Sequence, residues 1–179
     1  MKRLYLLRHS KAGHAGKKIL DDQDRPVTDK GIELCIHIAE QIKKIDPFPQ
    51  LILCSPALRA KQTSDLLLRQ MEKKVRVQME SGLYLAEPED LFEILRETDD
   101  AISSLMVIGH NPGLQEFAIL LSGKGNKKKF RQMRNNFPPP SMATLDIHIN
   151  EWAEMEERCG ELLDFIVGKA ISTAKRKAA

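Results

Sequence analysis

Three short stretches of this chain join an apolar run to side chains that could handle an anion the size of a phosphoryl group. In the first, Leu4-Tyr5-Leu6-Leu7 gives way to Arg8-His9-Ser10. Arg8 offers a planar fork of donors suited to phosphate or carboxylate. His9 offers a nucleophile or general base near neutral pH. In the second, Leu51-Ile52-Leu53-Cys54 is followed by Ser55-Pro56-Ala57-Leu58-Arg59. Ser is a preferred N-cap and Pro a preferred first helical residue, so a helix is expected directly beyond the run, with Arg59 about one turn in. Helical side chains lean toward the N-terminus, so Arg59 can reach back over the helix start. In the third, Leu105-Met106-Val107-Ile108 ends in Gly109-His110-Asn111-Pro112-Gly113. Asn111 is read as the N-cap and Pro112 as the first helical residue, which puts His110 in a strand-to-helix turn. Each stretch alone reads as an ordinary strand end, surface arginine or turn histidine.

Short, continuous apolar runs suit strands covered on both faces. Strands are expected over residues 3–7, 51–54, 75–79, 105–108 and 143–149. A helix is expected from Thr28, and others over 58–71, 89–96 and 114–121. This alternation predicts an α/β protein with a largely parallel sheet and helices on both faces. The C-terminal ends of parallel strands lie along one edge. That edge would collect Arg8, His9, Arg59 and His110, with Asn111 and two helix starts beside them, which describes a site for a dianion. The histidines show no metal-ligand spacing with cysteine or acidic residues, so no metal is expected.

The bulk numbers are those of an ordinary globular chain. The sequence has 179 residues, 42% hydrophobic and 30% charged, with a net charge of +3. That suffices for one substantial core, and the charge does not argue for nucleic acid. One domain is expected over residues 1–172, with a disordered basic tail over 173–179. No apolar run reaches the roughly 20 residues of a membrane span, and Met1-Lys2-Arg3-Leu4 lacks the apolar segment of a signal peptide. Cys35, Cys54 and Cys159 are odd in number and far apart, which fits reduced thiols and a cytoplasmic location. The basic stretch Lys127 to Arg134 is read as a solvated loop or helix face. Pro138-Pro139-Pro140 is read as a stiff extended connector into the last strand. Trp152 and the apolar residues at 162, 163, 166 and 167 are expected to close the core with a terminal helix.

Taken together, these residues resemble the histidine phosphatase superfamily, the phosphoglycerate mutase-like proteins, and in particular its SixA-like phosphohistidine phosphatases. The matching stretches are Leu7-Arg8-His9-Ser10-Lys11-Ala12, Asp24-Arg25-Pro26-Val27-Thr28-Asp29-Lys30-Gly31, Ser55 through Thr63, Val107 through Leu114, and Gly160-Glu161-Leu162-Leu163-Asp164-Phe165. They run in family order across nearly the whole chain. The resemblance implies a three-layer α/β/α sandwich around a mostly parallel sheet, with no metal or organic cofactor. It implies that His9 is the phosphoryl-accepting nucleophile, that Arg8 and Arg59 bind the phosphoryl group, and that His110 contacts it with Asn111 alongside. Ser10, Lys11 and Arg25 are expected at the pocket rim.

Two departures from the family pattern matter. Ser10 stands where Gly or Ala is commoner. Larger relatives carry a Glu soon after the third strand, or an Asp directly after the second histidine, as general acid. Here Asn111 follows His110, and Glu80 is the nearest candidate acid, with Glu87 close by. An imidazole leaving group needs less help from an acid than an alkoxide. The expected activity is therefore hydrolysis of a protein phosphohistidine through phospho-His9. The alternatives are a small-molecule phosphomonoesterase and a non-catalytic phosphoprotein-binding module. The expected partner is a phosphorylated protein or small phosphorylated metabolite, with no nucleic acid and no membrane; the oligomeric state is open.

Overall fold

A computed structural model describes residues 1–13, 21–70 and 74–170. The apolar runs form strands β1 (Lys2–Arg8), β2 (Leu51–Cys54), β3 (Arg76–Met79) and β4 (Ser104–Gly109). Between and after them lie helices α1 (Asp29–Ile42), α2 (Leu58–Gln70), α3 (Pro88–Arg96) and α4 (Gly113–Leu121). The chain then forms β5 (Ser122–Gly125), α5 (Lys127–Asn135), β6 (Ser141–Ile147) and β7 (Gly160–Val167). The seven strands make one sheet in the order β3-β2-β4-β1-β6-β7-β5. Among them only β6 runs against the rest, pairing antiparallel with both β1 and β7.

Alternation along β1 splits the interior into two cores. Leu4 and Leu6 join Leu91, Leu95, Leu114 and Phe117 from α3 and α4 on one face. Tyr5 and Leu7 join Cys35, Ile38, Ile42 and Leu67 from α1 and α2 on the other. A strand buried on both faces has no room for a polar residue until it leaves the sheet. That is why β1 carries four fully buried apolar residues and places its functional groups at its exit.

Helix α1 opens where the sequence predicts: Thr28 caps it, accepting from Gly31 N at 3.0 Å. Gly31 is fixed by packing, since a side-chain carbon there would collide with the Lys11 carbonyl oxygen and Val27. Helices α2 and α4 begin later than their Ser-Pro and Asn-Pro signals suggest, at Leu58 and Gly113. Asn111 is not the N-cap of α4; Pro112 holds that position, without a side-chain cap bond.

The C-terminal third departs further from expectation. Residues 160–167 form strand β7, not a terminal helix. The pairing with β6 shifts between Thr144 and Leu145, so Thr144 faces Asp164 while Leu145 faces Leu162. The extra residue, Leu163, lets Leu162 and Phe165 both be fully buried although three positions apart. A bulge of this kind disguises a two-residue period as a helical one. Trp152 is buried in the core as expected, its Nε1 donating to Ile102 O at 2.8 Å. The basic stretch is helix α5, which buries Met133 and leaves Lys127 and Lys128 exposed. The three prolines lead into β6, which is followed by β7 and so is not the last strand. The tail expected at 173–179 lies outside the described residues.

Candidate active site

Strand register brings the three motifs together. Arg8 on β1 pairs with Gly109 on β4, and Cys54 on β2 pairs with Ile108 on β4. The residues that follow, His9, Ser55 and His110, therefore leave the sheet side by side. Two backbone bonds hold that exit: His9 N donates to Gly109 O at 3.1 Å and Ser55 N to Ile108 O at 3.0 Å. The His9 and His110 ring centroids lie 5.0 Å apart.

Arg59 reaches back from the first turn of α2, as side-chain direction in helices predicts. It is 4% exposed. Its Nε donates to His9 Nε2 at 3.3 Å, and its Nη2 lies 3.4 Å from His110 Nδ1. Thr63, one turn further on, donates its hydroxyl to Arg59 O at 2.7 Å and accepts from Ser10 N at 2.8 Å. The start of α2 is thus clamped to the loop that carries His9.

The hydrogen-bond partners fix both imidazole tautomers. His9 Nδ1 lies 2.6 Å from Ser10 O, a carbonyl that can only accept. Nδ1 therefore carries the proton, and Nε2 presents its lone pair toward Arg59. At His110 a guanidinium, which can only donate, faces Nδ1. That leaves Nε2–H to donate to Ser55 Oγ, 2.7 Å away. Burial, together with Arg59, Arg8 and Arg25, lowers the pKa of His9 to about 4, against the opposing Ser10 carbonyl. Burial, His9 and Arg59 take His110 down to about 3, against the opposing Asp22. Both rings are neutral at pH 7, so His9 Nε2 is a competent nucleophile without a base to deprotonate it.

Arg8 is half-buried at the mouth of the site. Its Nη1 donates to Phe137 O at 2.6 Å, while Nε is buried without a hydrogen-bond partner. Burial and Arg59 lower its pKa from the usual arginine value. Two guanidinium groups, an unprotonated imidazole nitrogen and a second neutral ring form a pocket able to take up a phosphoryl group.

A model of the histidine phosphatase superfamily (branch 1) matches residues 4–84, the span that holds Arg8, His9 and Arg59. A solved structure from Agrobacterium tumefaciens, assigned as the phosphohistidine phosphatase SixA, is 25% identical, with a TM-score of 0.76 over 93% of this chain and 97% of that one. The chain belongs to the histidine phosphatase superfamily. Its fold is also that of a SixA assignment from Nakamurella multipartitia, 21% identical, with a TM-score of 0.79 over 94% of this chain and 97% of the other. An uncharacterised Mycobacterium tuberculosis protein is 27% identical over 163 residues, covering 90% of this chain and 99% of its own.

Within this histidine phosphatase, several residues expected at the site do other work. Ser10 is fully buried, not on the rim; its hydroxyl donates to Gly31 O at 2.7 Å and so packs the His9 loop against α1. Asn111 does not offer its amide to the pocket, because Nδ2 donates to Gln115 Oε1 at 3.0 Å and to Phe137 O at 3.4 Å. Glu80 is not placed as a general acid: it caps the short turn Ser81–Leu83, accepting from Gly82 N at 3.1 Å. Glu87 forms a capping box with Asp90 at the start of α3. Arg25 lies beside the pocket, its Nε on Gly13 O and its Nη1 on Asp22 Oδ1, and Lys11 is exposed next to the His9 loop. The basic helix α5 lines, with β5, a cavity of about 890 Å³ bordered by Lys124, Lys127, Phe130, Arg131 and Arg134. Among the described residues no group of three or more His, Cys, Asp or Glu is placed to hold a metal ion.

Three contributors escaped the sequence reading. Ser55 looked like a helix cap and instead orients His110. Asp22 and Tyr84 carry no motif of their own. Asp22 accepts from Arg59 at two points, Nη1 to its carbonyl at 2.6 Å and Nη2 to its Oδ2 at 2.8 Å. Tyr84 donates to the same Oδ2 at 2.9 Å and stands edge-on to His110, with centroids 5.5 Å apart.

The buried neutral imidazoles set a pH dependence of stability. Their folded pKa values lie below the unfolded value of about 6.5. The unfolded chain therefore binds more protons between pH 7 and pH 5, and stability falls as pH falls across that window. Asp22 contributes little there: unfolded, its carboxyl titrates at about 3.9, and in the fold hydrogen bonds from Arg25, Tyr84 and Arg59 hold it below the usual carboxylate range. The urea midpoint is expected to drop from pH 7.5 to pH 5, and to drop less in His110→Asn.

Proposed function

We propose that the protein is a phosphohistidine phosphatase acting on a phosphorylated protein through a covalent phosphoryl-His9 intermediate. The observation that carries this reading is the fixed tautomer of His9. Ser10 O holds the Nδ1 proton, so the lone pair of Nε2 faces the guanidinium of Arg59. In the first step Nε2 attacks phosphorus, and the bond to the leaving nitrogen breaks with its electron pair. In the second, water attacks phosphorus and gives up a proton to solvent as the P–Nε2 bond returns its pair to His9. Arg59 and Arg8 gather the equatorial oxygens in both steps and offset their developing charge. His110, held neutral, donates no charge of its own but fixes one side of the pocket and the Nη2 end of Arg59.

The substrate class follows from the leaving group. Glu80 and Glu87 are engaged as helix caps. Asp22, which faces the site, is held ionised by its three donors. A protonated carboxyl is therefore not waiting for an alkoxide, which favours the less basic imidazole of a phosphohistidine. Similarity to structures assigned as SixA supports the same class.

The test is a panel of a histidine-phosphorylated protein, phosphoserine peptides, sugar phosphates and nucleotides, compared by kcat/KM. The highest value is expected on phosphohistidine. A higher value on any small ester would reassign the protein as a small-molecule phosphomonoesterase. Phosphate binding without turnover on any donor would make it a binding module.

A further inference from the structure

We propose that the cleft between α5 and β5 is a docking site for a carboxylate-rich segment of the phosphorylated protein on which the pocket acts. The proposal rests on a protein as substrate and adds a recognition surface outside the pocket.

Helix α5 gathers its charge on one face. Lys127, Phe130, Arg131 and Arg134 follow the i, i+3, i+4, i+7 spacing of a single helical face, and all four line the cavity of about 890 Å³. The inward positions are engaged elsewhere. Met133 is fully buried, and Lys129 Nζ donates to Phe165 O at 2.9 Å and pairs with Asp164 at 2.6 Å. Strand β5, at the end of the sheet, borders the same cavity and adds Lys124, which pairs with Glu161 at 3.3 Å. Four cations thus line one cavity, and among the described residues no acid lines it with them.

Two local rules are broken to put them there. Lys127-Lys128-Lys129 crowd the first turn of α5, the positive end of the helix dipole, with no acidic residue in that turn. Lys127 and Arg131 then stand four residues apart, and Arg131 and Arg134 three, spacings at which like charges repel. Among the described residues none of these three side chains has an ion-pair partner, and all three are exposed. A helix that only faced water would interleave both signs. A local conflict that the fold does not compensate marks a functional surface. Carboxylates laid along the cleft offset both penalties.

The end of α5 is tied to the mouth of the active site. Gln115 Nε2 donates to Met133 O at 2.9 Å and to Arg134 O at 3.1 Å, while Gln115 Oε1 accepts from Asn111, the neighbour of His110. Three residues beyond Arg134, Phe137 O accepts from Arg8 Nη1 at 2.6 Å. Three residues of chain span at most about 11 Å, and the seven steps from Lys127 to Arg134 rise about 10 Å along the helix. All three cations therefore lie within about 20 Å of the Arg8 contact, a reach of about six residues of extended chain. A phosphohistidine held at His9 brings the residues that flank it to the cleft, so the occupant is part of the same molecule.

The test sets the full chain against the triple variant Lys127→Gln, Arg131→Gln, Arg134→Gln. Two histidine-phosphorylated peptides are compared by kcat/KM, one with glutamates flanking the phosphohistidine within that reach and one with glutamines there. Phosphoramidate, which has no flanks, is the control. Wild type should prefer the acidic peptide about tenfold, the combined scale of three exposed ion pairs, and high salt should abolish the preference. The variant should lose the preference while staying within about twofold of wild type on phosphoramidate and on the glutamine peptide. No preference in wild type, or one that the variant keeps, would overturn the proposal. An equal loss on phosphoramidate would do the same and make α5 a brace for Arg8. If neither peptide is turned over, the substrate reading has failed, and anisotropy of a fluorescein-labelled glutamate peptide still reads the cleft. Binding weakened about tenfold in the variant would uphold the acidic docking site, and unchanged binding would refute it. A single-stranded oligonucleotide that displaces this peptide and binds more tightly would also refute it, making nucleic acid the occupant.

Discussion

Replacing His9 by asparagine should reduce turnover of every phosphodonor by about 10⁴-fold or more, the scale on which losing a nucleophile acts. Asparagine is the informative choice. Its amide can still donate to Ser10 O, so the loop that carries it keeps its inward hydrogen bond. What disappears is the lone pair of Nε2. The Arg59 side chain keeps its grip on Asp22, so phosphate binding should survive while chemistry fails. Measured as a split, kcat should collapse while the inhibition constant for inorganic phosphate moves little. A variant that retains a tenth of wild-type turnover would show that the phosphoryl group passes to another atom.

Arg59→Met should cost about 10³-fold in kcat/KM, the scale seen when a preorganised donor to developing charge is removed. Methionine keeps an apolar stem of similar length on α2 but removes every donor. Three consequences coincide at one residue: Nε no longer faces the nucleophile, Nη2 no longer braces His110, and Asp22 keeps only Arg25 of its two cations. Arg59→Lys should recover little of the loss, because an ammonium cannot reproduce the planar fork. Arg59 is also one of the causes that hold the His9 imidazole low. Its removal should raise that pKa, so that phosphoenzyme formation in Arg59→Met falls off at a higher pH than in wild type. Rapid-quench measurement of the labelled protein from pH 4.5 to 7.5 reads this directly. A profile unchanged in position would contradict the contact between the two side chains.

Much of the site was legible because it stands at strand exits. Buried parallel strands announce themselves as apolar runs, and the residues that end them are forced to one edge. The sequence alone therefore gathers Arg8, His9, Arg59 and His110 at that edge. Contacts made between separate loops could not. Asp22 sits in a three-residue turn between β1 and α1, with no period or motif to mark it, and only folding brings it onto Arg59. Ser55 carries a cap signal that is true to its chemistry, but its hydroxyl meets an imidazole across the sheet edge as well as a backbone amide. Asn111 failed as a phosphate ligand for the same kind of reason. Its amide is turned to Gln115, one helical turn on in α4, and to Phe137 O beyond α5.

The fold was read well where side chains follow one period and badly where they change it. The alternation along β1 and the capped start of α1 were plain. Strand β7 was mistaken for a helix because one bulged residue shifts its buried positions from every second to every third. β5 contains Gly123 and Gly125 in a four-residue strand, too short and too poor in β-branched residues to signal itself.

The most direct test of the central claim is the position of the phosphoryl group on the enzyme. Wild-type protein incubated with a ³²P-labelled phosphodonor and quenched in alkali should carry acid-labile, alkali-stable label. Digestion should place it on His9, and phosphorus NMR should assign it to Nε2, the nitrogen that Ser10 leaves free. Label on His9 Nδ1, on His110 or on any other residue, or turnover with no labelled protein at all, would contradict the account.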